Sequence, residues 1–195
     1  MEYNQIIKYN LGQNKFPLTK KFDSNEINDN DTQKLTFRTW NPSRSSLSAA
    51  VVCGLEIMPI NETSSLLYIG NLDFAESLNL LDLVRNKKKI FCVSEKQLKL
   101  PKQDNFVKVN KLTEIQNQRF SVIYIDYSDY SYESLIDISD LYLENTGYLI
   151  IQYTKLTKNS DNLFKNLSKK FQVIQEANIE SFFKHKSLVL LRTRD

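Results

Sequence analysis

The strongest constraint on the fold is an alternation of short apolar strands with helical segments that begins near Ser64. Apolar or alternating runs bounded by turn residues predict strands at Ser65–Gly70, Lys89–Ser94, Phe106–Asn110, Phe120–Asp126 and Gly147–Thr154. Helical spacing of apolar residues between the strands predicts helices at Asp73–Val84, Tyr132–Leu143 and Asp161–Lys170. This alternation indicates an α/β fold with a mostly parallel, doubly wound sheet.

The end of the chain breaks the alternation. Two further strands are predicted at Phe171–Ala177 and Ser187–Arg194, with a loop and no helix between them. A connection of that kind suits an antiparallel hairpin at the edge of the sheet. The run Val122–Ile125 is apolar at every position, so we expect helices to cover both faces of the sheet.

Residues 1–37 lack helical periodicity and have a different character. Short β-prone pieces at Gln5–Tyr9 and Lys34–Phe37 flank a polar stretch at Asp23–Asp31. We therefore predict a small N-terminal β appendage over residues 1–37 and a single larger domain over residues 38–195.

A helix is predicted directly after Asn41 and Pro42, where Leu47, Val51 and Met58 recur at three- to four-residue spacing. Ser43 is a candidate N-cap for this helix, because its hydroxyl can accept a hydrogen bond from a free backbone N–H of the first turn. Pro59 is the predicted end, since proline disfavours helical backbone in the residue before it.

Composition indicates a mildly basic globular protein. The formal net charge is +3, which permits nucleic-acid binding without requiring it. The clearest local excess of positive charge is Lys87–Lys89. The apolar runs are too short to cross a bilayer, and the N-terminus has no apolar leader. Cys53 and Cys92 stand in apolar surroundings typical of reduced, buried thiols, so a cytoplasmic location is expected.

The segment Arg38–Ala50 resembles the fibrillarin family, which carries a W-x-P-x-R-S-x-L-x-A-A stretch just before its core. Later segments are similar to the family in the same order. They are Ser65–Gly70 for its first core strand, Phe120–Asp126 for its fourth, Gly147–Ile151 for its fifth and Asn178–His185 before its closing strand. The resemblance implies the Rossmann-like fold of S-adenosylmethionine-dependent methyltransferases, with the C-terminal antiparallel hairpin.

The resemblance also implies an activity and partners. Fibrillarins transfer a methyl group from S-adenosyl-L-methionine to ribose 2′-hydroxyls of rRNA and tRNA, at sites chosen by a box C/D guide RNA. They work with a Nop5/Nop56/Nop58-type scaffold protein and an L7Ae-type protein that binds the RNA. The short archaeal form is the better comparison, because this chain has no Gly/Arg-rich N-terminal tail.

The family's cofactor site maps onto four positions. Gly70 and Asn71 fall in the turn after the first core strand, Glu95 near the ribose position and Asn110 at the adenine position. In folds of this kind the cofactor binds at the carboxyl ends of the strands, where the strand order reverses.

This sequence departs from the family pattern at three of those places. Leu72, Asp73 and Phe74 replace the small residues and second glycine of the turn, and we expect them to crowd it. Ser94 stands at the end of the second strand, where the family has its acidic residue, and Glu95 follows one residue later. Successive strand residues point to opposite faces, so Glu95 would face the other side of the sheet. Asparagine stands at 110 in place of an aspartate.

The family's catalytic set is a lysine, two aspartates and a histidine around the target hydroxyl. A ribose hydroxyl is a poor nucleophile, so a nearby base must help to remove its proton. Asp126 matches one aspartate, and His185 matches the histidine with a shift of one residue. The position of the family's lysine falls on Thr154 when the sequences are aligned without a gap, or on Lys155 with a shift of one residue. The family's second aspartate corresponds to Asp161 or is absent.

Five basic residues are predicted to meet RNA phosphates: Arg38, Arg44, Lys87, Lys88 and Lys89.

Three functions remain open at this point. The chain is an active guide-directed methyltransferase, or a fibrillarin-like subunit that keeps its fold and scaffold contacts but has lost the cofactor, or a divergent methyltransferase-like fold with an unrelated partner.

Overall fold

The computed structural model describes residues 6–11, 14–20, 37–84, 88–94, 104–126, 131–154 and 160–194. Its ten strands are β1 Ile6–Leu11, β2 Asn14–Lys20, β3 Phe37–Thr39, β4 Leu66–Ile69, β5 Ile90–Val93, β6 Phe106–Val109, β7 Phe120–Asp126, β8 Leu143–Thr154, β9 Phe171–Asn178 and β10 Lys186–Thr193. Its four α-helices are α1 Ser46–Val52, α2 Phe74–Val84, α3 Tyr132–Tyr142 and α4 Ser160–Lys170. None of the described helices has the length and apolar character needed to cross a membrane.

The central sheet has seven strands in the order β6-β5-β4-β7-β8-β10-β9. Strands β4 to β8 run parallel, and β10 pairs antiparallel with both β8 and β9. The predicted doubly wound sheet with a closing antiparallel hairpin is therefore confirmed. The strand order reverses between β4 and β7, so the carboxyl ends of these two strands lie side by side.

The two faces of this sheet bury separate cores. Phe120 packs with α3 and α4, before a register shift between it and Val122. Beyond that shift, Val122 and Tyr124 pack with α1 and α2, whereas Ile123 and Ile125 pack with α3 and α4. This division follows from the two-residue periodicity of a strand. Trp40 is fully buried in the first of these cores, where it anchors the segment that leads into α1.

The N-terminal strands form a separate antiparallel sheet in the order β1-β2-β3. Strand β2 contacts α1 and α2, so this small sheet rests on the same face as the first core. Its third strand, Phe37–Thr39, continues directly into the Trp40 segment. The polar stretch Asp23–Asp31 lies outside the described residues.

Helix α1 is shorter than predicted at both ends. Its N-cap is Ser45, whose hydroxyl accepts the Ser48 N–H at 3.0 Å, and not Ser43. The helix ends at Val52 because Gly54 adopts φ +101° and the Leu55 N–H turns back to the Ala50 carbonyl at 2.8 Å. The apolar residues beyond Gly54 belong to an extended segment before β4, so Pro59 does not end the helix.

Arg38 ties the small sheet to the main domain. Its Nε donates to Oδ2 of Asp82 at 2.6 Å, and Asp82 is buried on α2. Replacing Arg38 by Ala removes the positive charge opposite a buried carboxylate, so we expect a loss of about 2–3 kcal/mol in the free energy of unfolding. Urea denaturation measures this loss. Arg44→Ala, at an exposed position, is the matched control and should change stability by less than about 0.5 kcal/mol.

Candidate cofactor and catalytic site

Gly70 and Asp126 meet where the strand order reverses. Gly70 follows β4 with φ +134°, and its N–H donates to the Val93 carbonyl at 3.0 Å. A Cβ added to Gly70 would lie 2.9 Å from Cβ of Asp126 and 3.0 Å from its carbonyl oxygen. Only glycine permits both this backbone conformation and this approach, so residue 70 sets how closely the two strand ends come together.

The three bulky residues of the turn after Gly70 lie in different surroundings, and whether they crowd a bound cofactor stays a prediction. Leu72 is buried in the core beneath α1 and α2, and Oδ1 of Asp73 accepts the Ala75 N–H at 2.6 Å at the start of α2. The Phe74 ring is 50% exposed. The atoms closest to a Cβ at Gly70 are those of Asp126, so the bulky residues of the turn are not what closes in on this glycine.

A polar group of side chains continues along the same face of the sheet. Tyr124 and Asp126 are two residues apart on β7 and therefore point to one side. Gln152 is the cross-strand neighbour of Asp126, and Thr154 is that of Lys186 on β10. These residues lie at the carboxyl ends of the strands, beyond the apolar core. This edge of the sheet is therefore polar.

Among the described residues, one cation lies close to Asp126. Nζ of Lys186 lies 3.9 Å from Oδ1 of Asp126, and their side chains are 33% and 23% exposed. Burial raises the pKa of Asp126, and the charge of Lys186 opposes that shift. The result is a carboxylate that is more basic than one in water and is positioned at the mouth of the site.

Glu76, in the first turn of α2, is the second carboxylate of the site and is only 4% exposed. Neither of its oxygens has a hydrogen bond of ordinary geometry from any residue in the described part of the chain. Burial raises its pKa from 4.5 to about 7, and the nearby charge of Asp126 adds to the rise. The Ser45 hydroxyl, the Leu47 N–H and the Tyr124 hydroxyl favour the charged form but offset only part of the burial.

Two tyrosines form the floor of the site. The rings of Tyr68 and Tyr124 pack edge to face with centroids 5.0 Å apart. Burial raises the pKa of both phenols, and the surrounding acidic groups raise it further, so both stay neutral at physiological pH. The hydroxyl of Tyr124 is buried and is one of the donors that approach the carboxylate of Glu76.

Comparison with known proteins identifies the family. The family model described as fibrillarin matches residues 2–140, well over half of the 195-residue chain. The chain belongs to the fibrillarin family. The resemblance of the Arg38–Ala50 segment is thereby confirmed.

Three proteins illustrate what this chain is similar to. A fibrillarin-like rRNA/tRNA 2′-O-methyltransferase of Pyrococcus horikoshii is 29% identical over 178 residues, which cover 80% of this chain and 78% of the relative. The Aeropyrum pernix fibrillarin solved with natively bound S-adenosyl-L-methionine has a TM-score of 0.78 at 14% identity, covering 97% and 96% of the two chains. A solved fibrillarin/Nop5p complex has a TM-score of 0.70 at 16% identity, covering 92% and 94%.

The structure describes three of the four positions that the fibrillarin resemblance predicted for the cofactor. Gly70 lies beside Asp126, and Asn71 follows it on the surface. Asn110 is exposed at the end of β6, where its N–H donates to Oε2 of Glu114 at 3.4 Å. Glu95 lies outside the described residues. Their roles in a cofactor site stay predictions.

The predicted catalytic positions are only partly described. His185 lies in the turn before β10, with φ +60°, and precedes Lys186 directly. Lys155 and the side chain of Asp161 lie outside the described part of the structure. Their catalytic roles remain predictions, and the described geometry places Lys186 beside Asp126.

Two residues of the site were missed by reasoning from the sequence, although each left a signal. Glu76 shares a helix face with Leu80 and Leu83, which are four and seven residues further on and buried, so a carboxylate stands on an apolar face. Lys186 alternates with the buried Leu188 and Leu190 in the same way on β10. A charged residue on a core-facing position is a readable sign of a functional site.

The predicted RNA contacts fall into two groups. Arg44, Lys88 and Lys89 are exposed, whereas Arg38 is paired with Asp82. Contact of these residues with RNA stays a prediction. Lys87 lies outside the described residues. The described residues contain no group of three or more His, Cys, Asp or Glu side chains that could hold a metal ion.

Proposed function

We propose that this chain is the fibrillarin-type subunit of a box C/D guide-RNA ribonucleoprotein and methylates ribose 2′-hydroxyls of rRNA and tRNA with S-adenosylmethionine. Membership of the fibrillarin family supports the proposal, as does the similarity to the fibrillarin-like rRNA/tRNA 2′-O-methyltransferase of Pyrococcus horikoshii. The observation that carries it is the polar site itself. Asp126, Lys186 and Glu76 meet at the point where the sheet order reverses, which is where ligands bind in open α/β sheets.

The residues present fit this cofactor. S-adenosylmethionine carries a sulfonium and an ammonium group, and the carboxylates of Asp126 and Glu76 suit a ligand with positive charge. The turn at Gly70 and Asn71 and the exposed Asn110 would hold the nucleoside part. When bound, the cofactor supplies an electrophilic methyl group.

The chain's own residues would prepare the target hydroxyl. Asp126 is raised in pKa by burial, so it is a better proton acceptor than an exposed carboxylate. The charge of Lys186, 3.9 Å from Oδ1 of Asp126, opposes the rise in pKa and favours the ionised carboxylate. The exposed Arg44, Lys88 and Lys89 would hold the RNA by its phosphates.

Replacing Asp126 by Asn should lower methyl transfer about 100-fold or more, because the amide cannot accept the hydroxyl proton. Lys186→Met should shift the acid limb of the rate profile to higher pH, since removing the cation raises the pKa of Asp126 further. The measurement is incorporation of labelled methyl into guide-directed RNA, as a function of pH, in the reconstituted complex. Asp137→Asn, at an exposed position of α3, is the control and should be neutral. Unchanged rates in Asp126→Asn would contradict the assigned role.

A structural, non-catalytic subunit is the second candidate. Two observations favour it: Leu72–Phe74 replace the small residues of the turn, and the buried Ser94 stands where the family has an acidic residue. Calorimetric titration with S-adenosylmethionine separates the two functions. Heat at micromolar cofactor supports the enzyme, and no heat at millimolar cofactor leaves only the structural role.

The partners follow the family. A fold of this kind has been solved as a fibrillarin/Nop5p complex, which supports a Nop5-type scaffold as the direct partner. The L7Ae-type protein and the guide RNA would be met through that complex, in the cytoplasm. Co-purification with a Nop5-type protein tests this and separates both candidates from a divergent fold with an unrelated partner.

A further inference from the structure

A polar cleft lies at the end of the sheet opposite to the candidate cofactor site. Its volume is about 400 Å³, and it is lined by Gln172 at the start of β9 and by Arg192, Thr193 and Arg194 where β10 ends. Arg192 is six residues beyond Lys186 on the same strand, so the cleft is about 20 Å from the catalytic end of the sheet. A ligand in this cleft would therefore be separate from the cofactor.

Strand pairing places Arg192 in the middle of a row of side chains. Arg192 is the cross-strand partner of Tyr148 on β8 and of Gln172 on β9. Residues directly opposite each other in a sheet share a face, so these three side chains lie next to one another. The guanidinium carbon of Arg192 is 5.7 Å from the centre of the Tyr148 ring. The ring stabilises the cation and limits its orientation, while the N–H groups at the edge of the guanidinium stay available for a ligand.

Arg194 supplies a second guanidinium at the end of β10. Its Nε donates to the Phe171 carbonyl at 3.3 Å, and its backbone N–H donates to the Lys170 carbonyl at 3.4 Å. These two bonds fasten the residue to the start of β9. Neither Arg192 nor Arg194 forms a salt bridge with a described residue. Asp195, which follows Arg194, lies outside the described residues.

The acidic side chains nearest to this end of the sheet have other partners. Asp140 pairs with Lys170, and Oε1 of Glu144 accepts the Ser65 hydroxyl at 3.4 Å. Lys169 is exposed in the last turn of α4, directly before β9, and adds positive charge. The described side chains therefore leave the cleft with a positive charge that an anionic ligand would balance.

We propose that this cleft is a second RNA site, in which Arg192 and Arg194 hold phosphates of the RNA backbone. The proposal rests on the function proposed above, to which it adds a contact far from the reacting ribose. The planar fork of a guanidinium matches the oxygens of a phosphate and forms charge-assisted hydrogen bonds with them. The two arginines are two residues apart, or about 7 Å along an extended chain, which is comparable with the spacing of successive phosphates in one strand.

The openness of the cleft favours an RNA strand over a free nucleotide. Pockets for small molecules bury most of the ligand's surface. Here Gln172 and Arg194 are exposed, and the lining comes from only two neighbouring strands. A continuous phosphate backbone can pass across such a cleft and contact both guanidiniums at once.

The test is binding of a single-stranded RNA of about 16 nucleotides to the full chain over a range of salt concentrations. Each phosphate contact adds about 0.7 to the slope of log affinity against log salt, so Arg192→Gln combined with Arg194→Gln should lower the slope by about 1.4. That change corresponds to about 25-fold weaker binding at about 0.1 M salt, if the two chains bind equally at about 1 M. Lys108→Gln combined with Lys165→Gln removes two exposed charges from β6 and α4 and is the matched control, with an expected change below about 0.5.

A charge-preserving variant separates loss of contact from loss of folding. Arg192→Lys combined with Arg194→Lys keeps both positive charges and should keep most of the slope, since the slope counts neutralised phosphates. Thermal unfolding of both double variants should resemble that of the unmodified chain, because the two side chains form no salt bridge with a described residue.

The remaining outcomes identify the ligand and keep the proposal distinct from the proposed function. An unchanged slope in the double glutamine variant, or no RNA binding by the unmodified chain, would overturn the inference. AMP bound at micromolar concentration, and lost in that variant, would indicate a mononucleotide site instead. A glutamate peptide bound as tightly as RNA would indicate an acidic protein surface. Titration with S-adenosylmethionine tests the proposed function by itself, because the cleft and the cofactor site lie at opposite ends of the sheet.

Discussion

Replacing Glu76 by Gln should stabilise the ligand-free protein at about pH 8 and leave its stability nearly unchanged at about pH 5. The carboxyl has a pKa of 4.5 when exposed and about 7 in the folded chain, so the folded state binds the proton more tightly. Stability is therefore greatest below the unfolded pKa and falls as the pH rises from about 4.5 to 7. Above that range the folded protein holds a buried charge that glutamine does not carry.

The expected gain at about pH 8 is about 3 kcal/mol in the free energy of unfolding, or roughly 10 °C in Tm. At about pH 5 the carboxyl of the folded chain is neutral, and glutamine has nearly the same shape. Thermal unfolding at the two pH values, with Glu133→Gln as the exposed control, measures the difference. A gain of the same size at both pH values would mean that packing, not charge, decides the effect.

Gly70→Ala should cost about 3 kcal/mol or more, clearly above the cost of Gly54→Ala. Both glycines have positive φ, +134° and +101°, so both variants strain the backbone by about 1–2 kcal/mol. Only at Gly70 does the added Cβ meet other atoms, namely Cβ of Asp126 at 2.9 Å and its carbonyl oxygen at 3.0 Å. At Gly54 nothing lies within 4 Å.

The difference between the two variants isolates the steric contact between β4 and β7. Urea denaturation of both variants measures it, provided that the slope of each transition stays that of the unmodified chain. Because relief of the clash moves Asp126, Gly70→Ala should also weaken cofactor binding, whereas Gly54→Ala should not. Equal losses of stability in the two variants would mean that backbone strain alone explains the glycine at 70.

The predicted gain in stability of Glu76→Gln would show that this buried carboxylate lowers the stability of the folded chain. A buried, uncompensated carboxylate lowers the stability of the ligand-free chain, and glutamine at the same position would relieve it. A native sequence retains such a residue where function requires it. Glu76 is expected to be such a residue, since Glu76→Gln should raise Tm at about pH 8.

The sequence by itself determined the elements of the fold and the family. The apolar run Phe120–Asp126 was predicted with the bounds that β7 has, because a strand covered on both faces must be apolar at nearly every position. The Arg38–Ala50 segment was sufficient to indicate fibrillarin. The N-cap of α1 was predicted wrongly, because the sequence offers several serines in a row. The observed N-cap is Ser45, which has extended backbone and accepts the Ser48 N–H.

Only the tertiary structure decided which side chains share the site. Asp126, Glu76 and Lys186 come from a strand, a helix and a distant strand, and their meeting depends on the sheet order that puts β7 next to β4 and β10 next to β8. Local propensity carries no information on that order, because it arises from how whole elements pack. The uncompensated charge of Glu76 is likewise a property of its surroundings: the same glutamate on an exposed helix face would be ordinary.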